Sequence, residues 1–137
     1  MQHFINAFKL YGVFSGRSTR EEYWTFTLIY LMAYLTLSII AYFINSEMFS
    51  FLLGILSLAV IIPSISITTR RLHDVGRSGW WQLSPLIGYL FAFIGVAQES
   101  TLLASAGGAL ALLLFVLLLY FLLQPSDDDN PYGPKPQ

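Results

Sequence analysis

Four uncharged stretches, 25–45, 48–69, 80–98 and 100–124, occupy most of this 137-residue chain, and no other feature limits the fold so strongly. With a rise of 1.5 Å per residue, about 20 helical residues cross a hydrocarbon core roughly 30 Å thick. Backbone N–H and C=O groups find no water there, so the helix is the default for such runs. The expectation is an all-α integral membrane protein. Its four transmembrane helices form a single domain over 1–124, and an acidic, proline-rich tail follows over 125–137.

Charge content agrees: 11% of residues are charged, against roughly 25% in an average soluble domain. Arg17 and Arg20 stand directly before the first run and no small-residue cleavage site follows a short one, so the first helix is expected to be retained rather than removed as a signal peptide. With no cysteine, disulfide and thiolate chemistry are excluded. Seven Lys and Arg and a net charge of -1 offer no basic face for a nucleic-acid backbone.

Threading four helices places the N-terminus, the 70–79 connection and the tail on one side of the membrane. All seven positive residues, Lys9, Arg17, Arg20, Arg70, Arg71, Arg77 and Lys135, then share that side, while the opposite links carry Glu47 and Glu99. The positive-inside rule makes the shared side cytoplasmic, with both termini on it.

Along the chain, MQHFINAFKLYGVF puts Phe4, Phe8 and Tyr11 at helical spacing with Lys9 off that face, the pattern of an N-terminal amphipathic interfacial helix ending near Gly12. Ser18 with Glu21, or Thr19 with Glu22, can form a capping box, so the first long helix is expected to begin near Thr19. Pro63 interrupts the second run and predicts a kink or a loosened turn, with Ser64, Ser66, Thr68 and Thr69 available to satisfy nearby backbone. Gly88 and Ala92, Ala104 and Gly108, and Gly107 and Ala111 repeat small residues four apart, a spacing that lets helices approach closely. The first use of such faces is packing within one bundle; the other is contact with a second copy or another membrane protein.

The chemistry-bearing residues gather in RRLHDVGRSGWW, 70–81. Taken with FSGRSTREEYW at 14–24, Pro63, Pro85 and NPYG at 130–133, this string resembles the bacterial domain-of-unknown-function 805 family over nearly the whole chain. The resemblance implies a small multi-spanning inner-membrane protein with cytoplasmic termini and no established reaction. Pro131 stands where the family usually has a basic residue.

Three uses of the island follow from its residue types. Arg17, Arg20, Arg70, Arg71 and Arg77 can pair with Glu21, Glu22 and Asp74 in a structural ion-pair network, because forked arginine hydrogen bonds strengthen at low dielectric. The same arginines, flanked by Trp80 and Trp81, can instead bind anionic lipid headgroups or a protein partner, unless the acidic run 127–129 occupies them from within. In the third use, His73 acts as general acid or base with Asp74 orienting it, on a membrane-surface substrate. No serine elbow, P-loop or second histidine at ligand spacing accompanies that pair, so neither a metal nor a cofactor is called for. The spans contain no Asp, Glu, Lys, Arg or His, which argues against ion or proton transport by a monomer. The sequence reading therefore favours a non-enzymatic interaction or lipid-associated module.

Overall fold

A computed structural model describes residues 10–44 and 47–136. Within them lie four long helices: α1 (Arg20–Ile44), α2 (Glu47–Asp74), α3 (Ser84–Ala97) and α4 (Thr101–Leu123). A one-and-a-half-turn 3-10 segment, Gly79–Leu83, leads into α3. Together with it, α3 is long and apolar enough to cross a membrane, as are α1, α2 and α4. The fold is all-helical, with four spans.

Local chemistry sets the helix ends. The Glu22 carboxylate accepts from the Thr19 backbone N–H at 3.0 Å, and the Thr19 hydroxyl accepts from the Glu22 N–H at 3.2 Å, so the capping box forms on Thr19 and Glu22. At the end of α2, Gly76 adopts φ 66°, Arg77 N–H reaches the Leu72 carbonyl at 2.9 Å and Gly76 N–H reaches that of His73 at 3.1 Å. That is a Schellman stop, and it needs glycine because φ is positive there. The third span does not begin as α-helix at Trp80, as its apolar run suggests. Ser78 accepts from Trp80 N–H and starts a 3-10 turn, and the α-helix begins only at Ser84, with Pro85 in its first turn, where an N–H is not required.

α3 and α4 form the tightest pair. A Cβ on Gly88 would lie 2.2 Å from Ala111 N, one on Gly107 2.2 Å from Ala92 N, and one on Gly95 2.2 Å from Ala104 N. Glycine on one helix thus meets alanine on the other in antiparallel register. Gly108 meets nothing within 4 Å, so only part of the expected small-residue face packs in this pair.

The expected interfacial helix falls mainly on residues 1–9, outside the described residues. What is described of that segment, from Leu10 onward, turns and lies against α2. The Ser66 hydroxyl donates to the Val13 carbonyl at 2.7 Å and lies 3.2 Å from that of Leu10. The Tyr11 hydroxyl donates to the Ala59 carbonyl at 2.9 Å. Ala59 lies four residues before Pro63, whose ring nitrogen cannot donate to it, so a tyrosine from elsewhere in the chain satisfies the acceptor that the proline frees. α2 runs unbroken through Pro63, which is buried.

The buried core sits at the end carrying the island. Tyr23, Phe26, Ile67, Leu72, Val75, Leu118, Phe121 and Leu122 pack together there. Toward the other end, α1 and α2 leave an open hollow of about 1020 Å³ lined by residues including Tyr34, Glu47 and Ser57. Most large apolar side chains elsewhere point outward, as a lipid-facing surface requires.

Candidate functional site

Asp74, the last residue of α2, has no exposed surface. Two guanidinium groups close on it. Arg17 Nε donates to Asp74 Oδ1 at 2.9 Å, and Arg71, one helical turn back, donates to Oδ2 from Nη1. The Ser126 hydroxyl donates to the same Oδ2. A buried carboxylate is tolerable only when paired and hydrogen-bonded, and here two cations and a hydroxyl do both.

Arg17 uses all five of its N–H donors. Besides the Asp74 carboxylate they reach the backbone carbonyls of Asp74 at 3.1 Å, Asp127 at 2.6 Å, Asp128 at 2.8 Å and Gly133 at 2.9 Å. Arg71 reaches the carbonyls of Leu122 at 3.2 Å and Ser18 at 3.5 Å, and that of Gln124 through Nη2. The acidic run therefore docks by its carbonyls, not its carboxylates. The Asp128 side chain is 98% exposed and pairs with Lys135 at 3.1 Å.

The rest of the tail is held from α2. Asp127 N–H donates to the Asp74 carbonyl at 3.0 Å, and Asn130 Nδ2 donates to that of His73 at 2.9 Å. Asn130 and Gly133 close a turn, and the Tyr132 ring stacks on His73 with centroids 3.9 Å apart and planes within 5°. His73 Nδ1 lies 3.2 Å from the Gly16 carbonyl. That acceptor requires the proton on Nδ1, leaving Nε2 as the lone-pair side of the neutral ring.

The candidate residues from the sequence thus divide. Arg17 and Arg71 are turned inside, with side chains 2% and 0% exposed, and their donors are spent on the chain itself. Arg70 is buried too; its carbonyl accepts from Ser18 N–H at 3.1 Å, Glu22 is its opposite charge, and its Nε has no hydrogen-bond partner among the described residues. These three are not available to a headgroup in this arrangement. Arg20 is exposed and reaches the Leu123 carbonyl at 3.3 Å. Arg77 is exposed and lies over the Phe121 ring at 4.9 Å, while Trp80 is 78% exposed. Trp81 instead packs edge-on against Phe121 at 5.3 Å. Of the acids, Asp74 and Glu22 sit in the interior network, and Glu21 lies on the exposed side of the first turn of α1.

Asp74 does not orient His73. Its carboxylate is taken by Arg17, Arg71 and Ser126, and a backbone carbonyl holds the imidazole instead. Among the described residues, no group of three His, Asp or Glu is placed to hold a metal ion. Ser126, Asn130, Tyr132 and the tail carbonyls are site members that the sequence reading missed. NPYG and the acidic run 127–129 were the visible signs of the tail.

The family profile described as Protein of unknown function (DUF805) matches residues 11–134, a stretch that begins at Tyr11 and ends within the docked tail. The chain belongs to this family. It is similar to the inner membrane protein YhaI of Escherichia coli K12, with 36% identity covering 74% of this chain and 87% of the relative. The inner membrane protein YhaH of the same organism is 31% identical over 74% of this chain and 88% of its own length. No solved structure matches the chain.

Proposed function

We propose that this family member is a non-enzymatic interaction or lipid-associated module of the bacterial inner membrane, with its charged end and both termini facing the cytoplasm. Support for the setting comes from the one-sided distribution of positive residues and from relatives named as inner membrane proteins. The observation that carries the reading is Trp80, 78% exposed directly after the Schellman stop, three residues from the exposed Arg77. An indole at the headgroup level beside an exposed guanidinium suits an anionic leaflet, where each basic residue contributes about 1 kcal/mol. Arg20 adds a second cation on the same end. The competing reading, an enzyme using His73 and Asp74, draws no support from a carboxylate held between two arginines and away from the imidazole.

The test is thermal unfolding in nanodiscs of phosphatidylcholine with and without phosphatidylglycerol. Anionic lipid is expected to stabilise the wild type, and the Arg77→Gln, Trp80→Ala double variant is expected to lose most of that gain. Equal gains in both proteins would remove the proposed surface. In intact cells, a cysteine at Ser100 should react with an impermeant thiol reagent and one at Ser78 should not; the reverse pattern would invert the orientation.

A further inference from the structure

Beside the clamp, the turn at Phe14, the end of α2 and the 3-10 segment enclose a cleft of about 460 Å³, within the usual range for a small-molecule site. Its walls are amphipathic in a definite order. Ile65, Phe14 and Leu83 form the apolar part, with Ile65 on the uncharged run of α2, while His73 and Ser78 lie beyond the end of that run and Trp80 flanks them. No charged side chain lines the cleft among the described residues.

Three features select the chemistry of an occupant. The lining carries no charged side chain among the described residues, so the cleft favours a neutral group over phosphate, carboxylate or ammonium. Among the described residues no hydrogen bond is made at His73 Nε2, and because Nδ1–H is held by Gly16, it faces a ligand as an acceptor. The Ser78 hydroxyl accepts from Trp80 N–H at 3.4 Å and keeps its own proton to donate. The Gln82 amide nitrogen, also on the lining, donates to the Thr69 hydroxyl at 2.9 Å. His73 as acceptor and Ser78 as donor, both on the lining, suit a ligand carrying a hydroxyl and a nearby carbonyl on an apolar chain.

We propose that this cleft binds a neutral acylglycerol from the surrounding leaflet, with its free hydroxyl donated to His73 Nε2, an ester carbonyl accepting from Ser78, and an acyl chain along Phe14, Ile65 and Leu83. Tyr132 is then a positioning residue, since its stacked ring fixes the imidazole plane from the side of the docked tail. A polyprenol has a hydroxyl but no ester carbonyl, and would leave Ser78 unused. The inference deepens the lipid-associated reading and rests on it for the membrane setting, yet its polar contacts are made by His73 and Ser78 and not by Arg77 or Trp80.

The full-length protein in phosphatidylcholine nanodiscs provides the test, because that bilayer has no anionic lipid and the two proposals can fail separately. Binding of dioleoylglycerol is compared with that of its methyl ether, which lacks the donor proton, by isotope-labelled histidine resonances and by lipid retained in native mass spectrometry. The alcohol is expected to bind about fivefold more tightly, the factor corresponding to one net hydrogen bond. His73→Phe keeps a ring for Tyr132 but no acceptor, and should erase the difference without weakening the ether. Leu83→Trp, which fills the cleft, should abolish binding of both. Equal binding of alcohol and ether by the wild type would overturn the proposal, even if the variants fail to fold. So would an undiminished preference in His73→Phe, or a polyprenol bound as tightly as the acylglycerol.

Discussion

Replacing Asp74 by asparagine keeps the shape of the clamp's centre and removes its charge. The carboxylate has no exposed surface, and the Arg17 and Arg71 side chains that close on it are 2% and 0% exposed, so the variant leaves two buried cations without their shared anion. Breaking a buried pair by removing one partner costs about 3 to 5 kcal/mol. The lower end applies, because four of the five Arg17 hydrogen bonds and three of those of Arg71 go to carbonyls that the substitution leaves in place. A loss of about 3 kcal/mol corresponds to a fall in melting temperature of about 10 °C for a chain of this size. The assay is thermal unfolding in neutral detergent of the wild type, Asp74→Asn, Arg17→Gln and the double variant. Since both single changes break the same interaction, the double variant should be less destabilised than their sum by about 1 to 3 kcal/mol. Additive losses, or an Asp74→Asn melting temperature equal to that of the wild type, would refute the clamp. Asp128→Asn is the matched control and should leave the melting temperature unchanged, since that carboxylate lies in solvent.

Two further expectations rest on separate parts of the fold. Tyr11→Phe should cost about 1 kcal/mol by abandoning the Ala59 carbonyl, but should be silent in a Pro63→Ala background, where the helix supplies its own donor; an equal cost in both backgrounds would break the link between tyrosine and proline. Gly107→Val should separate α3 from α4 and sharply lower folded yield, because its Cβ would stand 2.2 Å from Ala92 N, whereas Gly108→Ala meets open space and should be tolerated; matching yields from the two variants would contradict the hairpin register.

The four spans were legible in the sequence because a bilayer imposes a local rule: enough consecutive uncharged residues must form a helix whatever lies beside them. The capping box was legible for the same reason, since Thr19 and Glu22 are three residues apart and interact along one turn. The fate of each arginine was not legible. Arg17 is 57 residues from Asp74 and more than a hundred from the carbonyls of Asp128 and Gly133, and no periodicity connects them. Charge counting treated the five arginines as equivalent, whereas tertiary packing sent Arg17, Arg70 and Arg71 inward and left Arg20 and Arg77 outside. It also matched a proline's missing donor with a tyrosine 48 residues from the carbonyl it satisfies, and gave the imidazole a backbone carbonyl in place of the adjacent aspartate. Hydrophobicity acts residue by residue, so sequence alone places the helices in the membrane. Pairing a buried charge or satisfying a freed carbonyl depends on which groups meet through space, and only the folded chain decides that.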